Sequence, residues 1–229
     1  MTSDTGVMLH EFLRSPLQVG AVAPSSRRLA AAVTAPVPEA GDPVVVELGP
    51  GTGAFTGMIQ ELLGGRGHHV AVEINPRLAD SLRRRFPRVE VLTADASRLP
   101  RLLAECGHGT ADVVISGLPW VSLPGHVQHE TLCAVRDVLP VDGAFTTFGY
   151  VHAMRLAPAR RFRRMLGVNF EEVVAGRTVW GNLPPAFVYH SRRPRDIKPI
   201  RRLYGPEGHG CTCVATGGTC VATGGTGHC

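Results

Sequence analysis

Four stretches of this chain hold residues whose types and spacing suit a nucleoside-bearing ligand. The first is Val44-Val45-Val46-Glu47-Leu48-Gly49-Pro50-Gly51-Thr52-Gly53-Ala54-Phe55-Thr56. Its apolar run (Val44, Val45, Val46, Leu48) reads as a strand covered on both faces. Gly49, Gly51 and Gly53 lack a Cβ, so the backbone can turn sharply and a ligand can lie against it. The helix that follows points its free N–H groups back at that ligand. A glycine-rich turn alone is a weak signal, even though Ala54 completes the permissive Gly-x-Gly-x-x-Gly/Ala pattern. Glu47 inside the turn motif and two acids downstream sharpen it. Glu73 ends a second strand about 20 residues beyond the turn, where a nucleotide-binding sheet places a carboxylate to accept from both ribose hydroxyls. Asp95, in Thr93-Ala94-Asp95-Ala96, ends a third strand, beside an adenine edge whose exocyclic amine it would meet. Ser116-Gly117-Leu118-Pro119-Trp120 follows a fourth. Taken singly, each acid reads equally well as a helix cap or a surface charge. Four such elements in order, all at carboxyl ends of strands, fit the ligand edge of an open α/β sheet.

The elements that must position these residues follow from the alternating pattern. Strands are expected over 44–48, 69–73, 89–93, 112–116 and 143–149, and helices over 54–64, 76–85, 97–104 and 126–138. Such alternation implies right-handed βαβ units and a parallel sheet. A basic helix is expected over 154–166, carrying Arg155, Arg160, Arg161, Arg163 and Arg164. Two further strands, over 172–180 and 186–191, are joined by Asn182-Leu183-Pro184-Pro185, a connection tight enough to make them antiparallel. Ahead of the first strand, Val7, Met8, Leu9, Phe12 and Leu13 suit a short amphipathic helix stopped by Pro16, and Ser25 or Ser26 caps a second helix through Val33. The first of these helices reads either as a lid on the domain or as an interfacial helix touching lipid.

The same residues carry a family resemblance. Glu47-Leu48-Gly49-Pro50-Gly51-Thr52-Gly53, then Glu73, Asp95 and Ser116-Gly117-Leu118-Pro119-Trp120, resemble class I S-adenosylmethionine-dependent methyltransferases over roughly residues 15–194. That resemblance implies a Rossmann-like fold: a mostly parallel seven-stranded sheet, helices on both faces and a terminal antiparallel pair. More narrowly, Phe12-Leu13-Arg14-Ser15-Pro16, Gly20-Ala21-Val22-Ala23-Pro24-Ser25-Ser26, Ser116-Gly117-Leu118-Pro119 and Asn182-Leu183-Pro184-Pro185-Ala186 resemble bacterial phospholipid N-methyltransferases, which convert phosphatidylethanolamine towards phosphatidylcholine. Ribosomal RNA adenine dimethyltransferases are related and carry Asn-Leu/Ile-Pro-Tyr/Phe after strand 4. Here Ser116-Gly117 and Trp120 depart from that pattern, and little chain is left for the helical RNA-binding domain those enzymes append.

The resemblance implies roles. Gly49, Gly51 and Gly53 let the methionine and ribose portions of S-adenosylmethionine approach the backbone; Glu47 helps hold its amino group, Glu73 the ribose and Asp95 the adenine. The sulfonium already activates the methyl group, so the protein mainly aligns an in-line displacement. The acceptor needs a lone pair. A primary ammonium near the lysine reference of about 10.4 is mostly protonated at neutral pH, and burial favours the neutral amine. Carbonyls around Ser116, Gly117 and Leu118 are placed to take its remaining hydrogens. Trp120 packs either a cation against its face or itself against the cofactor as a lid. Tyr150, His152, His126 and His129 are the candidates for a general base.

Composition bounds the partners. The chain has 229 residues and a formal net charge of +5, and Lys198 is its only lysine. The arginine excess reads either as attraction to an anionic membrane or RNA, or as a coding bias that also favours Ala, Gly and Pro. Aromatics are 6% of the chain and none lies within 192–202, which disfavours RNA binding by base stacking. The expected arrangement is a helical lid or membrane-contact segment (1–42), a cofactor-binding domain (43–194), a basic Arg/Pro segment (195–206) and a repeat tail (207–229). Thr-Cys-Val-Ala-Thr-Gly-Gly occurs twice in tandem at 212–218 and 219–225, too small-residued to build a core. The tail reads as a slippage or read-through product; its Cys and His spacing matches no zinc pattern. No apolar run approaches the ~20 residues that span a bilayer. The expectation is a cytoplasmic enzyme, peripheral to the inner face of the membrane, acting on a phospholipid headgroup. An RNA adenine or a small metabolite is the alternative acceptor, and a non-catalytic scaffold the alternative class.

Overall fold

The apolar runs over 44–48, 70–72 and 113–115 do not alternate with polar residues, so these strands must be covered on both faces. The computed structural model describes residues 25–196 and shows how they are covered. The strands are β1 (Val44–Leu48), β2 (His68–Glu73), β3 (Glu90–Thr93), β4 (Val113–Ser116), β5 (Ala144–Tyr150), β6 (Phe170–Ala175) and β7 (Ala186–Pro194). They form one seven-stranded sheet in the order β3-β2-β1-β4-β5-β7-β6. The first five are parallel, and β7 runs antiparallel between β5 and β6. The α-helices are α1 (Arg27–Thr34), α2 (Ala54–Leu63), α3 (Pro76–Arg85), α4 (Leu99–Glu105), α5 (Gly125–Val138) and α6 (Ala157–Asn169).

Successive side chains of a strand point to opposite faces, so each strand feeds two cores. On one face Val46, Leu48, Val70, Val72, Val114 and Phe145 pack with α4, α5 and α6 through Leu103, Leu132, Val135, Phe162 and Leu166. On the other, Val45, Val113 and Ile115 pack with α1 and α2 through Leu29, Val33, Phe55 and Ile59, while Ala71 and Val91 meet α3 through Ala79 and Leu82. The described residues up to Arg195 form one compact unit. None of the described helices is long and apolar enough to cross a membrane.

The expected elements recur with small shifts at their ends. Ser26 caps α1 by accepting from the Leu29 N–H at 3.2 Å, as a helix start requires. The basic helix begins at Ala157 rather than 154, because residues 151–153 make a 3₁₀ turn first. The last pair departs further from expectation: β6 ends at Ala175, not 180, and the connection to β7 runs over 176–185 with a single bridge between Val179 and Ala186. Pro184 and Pro185 have no N–H to give to a ladder and Gly181 weakens a strand, so regular pairing does not run through the connection. The expected helix over Val7–Leu13, the Arg/Pro segment beyond Asp196 and the repeat tail lie outside the described residues.

Candidate active site

The turn after β1 is held in place by its neighbours. The Gly49 N–H donates to the Val72 carbonyl at 2.9 Å, and Gly53 N–H donates to Pro50 O at 2.9 Å. Gly49, Gly51 and Gly53 all have positive φ (66°, 56° and 86°), the left-handed region that favours glycine. Their surroundings differ. A Cβ on Gly49 would stand 2.7 Å from Leu118 Cδ2, and one on Gly53 would stand 2.9 Å from Phe86 Cε2. A Cβ on Gly51 would meet nothing within 4 Å. Gly51 thus faces open space, whereas Gly53 serves the packing of α2 on α3. The first turn of α2 has no side-chain cap, so its N–H groups remain for a ligand.

Glu73 and the strand-4 loop lock onto the same turn. Glu73 is buried, with Oε2 accepting from Gly51 N–H at 3.0 Å and Oε1 from Asn75 N–H at 2.9 Å. Burial holds its carboxyl above the usual range; the N–H groups of Asn75, Gly51 and Ile74 offset this in part, and the nearby Glu47 carboxylate adds to it. Its carbonyl accepts from Ala94 N–H at 3.1 Å, which sets Asp95 one residue further on. Asp95 is half-buried and Oδ1 accepts from Ser97 N–H at 2.9 Å. Gly117 lies against the turn as well: its N–H donates to Leu48 O at 2.8 Å, and a Cβ there would stand 2.6 Å from Gly49 O. Glu73, Gly51, Gly49, Gly117 and Leu118 are therefore one connected surface at the carboxyl ends of β1, β2 and β4.

Glu47 sits beneath this surface, fully buried. Thr56 of α2 donates from Oγ1 to Glu47 Oε2 at 2.8 Å, and His69 Nε2 of β2 lies 3.3 Å from the same oxygen. Gln60 approaches the other ring nitrogen of His69 at 3.0 Å. Glu47 Oε1 has no hydrogen-bond partner among the described residues. Sequence reasoning missed His69, Thr56 and Gln60. The available signal was His69 itself, a polar residue at an inward position of an apolar strand.

The remaining candidates divide. Ser116 is buried, and its Oγ accepts from Trp120 Nε1 at 3.0 Å and from Leu118 N–H at 3.3 Å. Trp120 is 2% exposed, stacked on Phe162 at 4.8 Å and edge-on to Phe145. The expectation that Trp120 offers a free face to a cation is corrected here: one face, the ring edge and the indole N–H are all taken up in the core. Gln128, also unforeseen, donates from Nε2 to the carbonyls of Trp120 and of Leu123 and holds this turn. Tyr150 ends β5, three residues past Thr147, the register partner of Ser116. It is half-buried, stacked on the exposed His152, and burial raises its hydroxyl above the ordinary range. His126 and His129 are exposed on α5, and His129 Nε2 lies 3.7 Å from Cys133 Sγ within that helix.

A parallel sheet of this order, with a glycine cradle at β1 and carboxylates ending β2 and β3, defines a nucleoside-cofactor enzyme. Residues 45–143 match the methyltransferase domain family. The chain is 32% identical over 192 residues to the ornithine lipid N-methyltransferase of Singulisphaera acidiphila, covering 82% of this chain and 96% of that one. It belongs to the class I S-adenosylmethionine-dependent methyltransferases. Solved structures agree in fold. Human methyltransferase-like protein 13, in complex with SAH, aligns with a TM-score of 0.57 at 17% identity over 75% of this chain and 83% of that one. A TehB-like methyltransferase from Corynebacterium glutamicum aligns with a TM-score of 0.53 at 13% identity over 82% and 98%. The site suits S-adenosylmethionine on its own terms: a buried Glu47 oxygen without a partner, open space before Gly51, and an uncapped helix start at α2.

Proposed function

We propose that the protein N-methylates the primary amine of a membrane lipid headgroup, working as a peripheral enzyme at a membrane surface. The observation that carries this reading is the 32% identity spread over 96% of a lipid N-methyltransferase. The ornithine headgroup of that relative and the phosphatidylethanolamine suggested by the sequence motifs share the chemistry that matters, an aliphatic primary amine. When bound, S-adenosylmethionine supplies an activated methyl group for in-line transfer.

In this reading Gly51 and the α2 N-terminus receive the cofactor's polar end, Glu47 its amino group, Glu73 the ribose hydroxyls and Asp95 the adenine amine. The acceptor amine must be neutral and oriented. Of the carbonyls after β4, that of Ser116 accepts from Thr147 Oγ1 at 3.1 Å and that of Leu118 from Trp120 N–H at 2.9 Å. Gly117 O accepts no hydrogen bond from the described residues and borders the glycine turn, so it is the acceptor we assign to the amine's N–H. His152, stacked on Tyr150 at the neighbouring strand end, takes the released proton, while Tyr150, kept protonated by its burial, orients the imidazole.

The test is transfer of label from radiolabelled S-adenosylmethionine to vesicles containing either ornithine lipid or phosphatidylethanolamine, resolved by headgroup. Label in either amine supports the reading and names the headgroup. Tight cofactor binding with no labelled lipid of either kind refutes it.

A further inference from the structure

The loop between β6 and β7 is braced underneath and apolar on top. Asn182, 4% exposed, donates from Nδ2 to Pro184 O at 2.7 Å and accepts at Oδ1 from the Ser26 N–H at 2.9 Å, at the start of α1. Its own N–H donates to Val179 O at 3.2 Å, and Val151 N–H donates to Pro185 O at 3.0 Å. A loop tied at these points cannot turn its outer side chains inward without leaving buried polar groups unpaired. Yet Trp180 and Leu183 are each 74% exposed.

Single exposed apolar residues are ordinary; a set of them on one functional edge is not. Tyr150 is the register partner of Ala186, so the loop stands at the edge where β5 ends, which is also the edge of the cofactor cradle. Met154 and Leu156, just past β5, are exposed there too.

Charge identifies the occupant. No acidic residue occurs between Tyr150 and Phe170, or between Val173 and Arg195. Arg155 and Arg177 are exposed within those segments, and the exposed Arg28 lies against Gly181 in the loop itself. Tryptophan favours the headgroup level of a bilayer, leucine the acyl boundary, and arginines beside them attract anionic lipid.

We propose that this edge docks on an anionic lipid bilayer, with Trp180 and Leu183 entering the interface, so that a headgroup reaches the cradle without leaving the membrane. The inference rests on the amino-lipid reading above, and the experiment separates the two. Of the two tryptophans, Trp120 is already buried, so a change in emission on docking reports Trp180.

The full chain is mixed, without S-adenosylmethionine, with vesicles of phosphatidylglycerol or of phosphatidylcholine, neither carrying a primary amine. Phosphatidylglycerol is expected to shift the emission to the blue, and brominated acyl chains to quench it. Trp180→Phe abolishes both signals while vesicle co-sedimentation persists. Leu183→Ser weakens partitioning roughly tenfold, the worth of one buried leucine side chain, and salt weakens it further. The Trp180→Ser/Leu183→Ser protein, checked for an unchanged melting temperature, keeps wild-type turnover of detergent-dispersed amino lipid. Equal vesicle binding by that double variant overturns the inference, as does failure of the wild type to bind phosphatidylglycerol. A dimer in solution that this double variant abolishes overturns it in favour of a second copy of the chain on this surface. Vesicle binding as expected with no amino lipid labelled sinks the substrate reading and leaves the docking surface standing.

Discussion

Gly51 and Gly53 of the β1 turn look alike in sequence, and substituting each by alanine should separate cofactor binding from packing. Gly51→Ala adds a Cβ into open space at a φ of 56°. The left-handed backbone costs about 1 kcal/mol for a residue with a Cβ, which lowers the melting temperature by about 2–4 °C for a chain of this size. Gly53→Ala pays the same backbone strain at φ 86°, and its Cβ falls 2.9 Å from Phe86 Cε2 and 3.0 Å from Leu82 Cδ2. Overpacking of that kind adds about 1–3 kcal/mol. The combined loss of about 3 kcal/mol corresponds to a fall of roughly 6–12 °C. Binding should follow the opposite order. The Gly51 methyl occupies space we assign to the cofactor and is expected to weaken S-adenosylhomocysteine at least about tenfold, whereas Gly53→Ala, once folded, binds nearly as the wild type does. Thermal unfolding and titration calorimetry on the two variants measure both orders. Wild-type affinity in a folded Gly51→Ala protein refutes the cradle. A Gly53→Ala protein that keeps its stability and loses binding refutes the division of labour.

Three further outcomes are expected. Glu73 holds its proton more tightly folded than unfolded, so its contribution to stability is present below about 4.5 and is lost as pH rises through its raised folded value. Only the carboxylate accepts from two ribose hydroxyls, so cofactor affinity should fall by up to about tenfold per pH unit below that value. Glu73→Gln should fold, bind weakly and lose this pH dependence; calorimetry from pH 4 to 8 checks it. Ser116→Ala leaves the buried Trp120 N–H without its acceptor and should cost about 1–3 kcal/mol in urea unfolding, with Trp120→Phe in the same protein recovering part of that loss. Glu47→Gln should leave urea stability within about 1 kcal/mol, since a buried carboxylate with one unpartnered oxygen adds little, and should weaken cofactor binding more than tenfold by calorimetry.

The sheet's parallel half and the order of the cofactor elements are legible in the residues alone. The reason is local: β1 to β5 are short apolar runs separated by glycine or by helix-period segments, and such signals read within a few residues of the chain. Glu73 and Asp95 were legible because their roles depend on following a strand. Which residues share a contact depends on the folded chain. Trp120 has the residue type of a cation-binding surface, but Phe162, 42 positions on, covers its face, and no periodicity near residue 120 announces that contact. Glu47 reads as a cofactor acid; that its other oxygen lies against Thr56 and His69 follows from β1, β2 and α2 converging on one face of the sheet, which no local pattern announces. The β6–β7 connection reads as a tight turn, yet the pairing ends at Ala175 and bonds to Ser26 and Val151, distant in sequence, hold the longer loop open. Strand and turn signals act over neighbouring residues. Burial, partner choice and exposure are set by residues that only folding brings together.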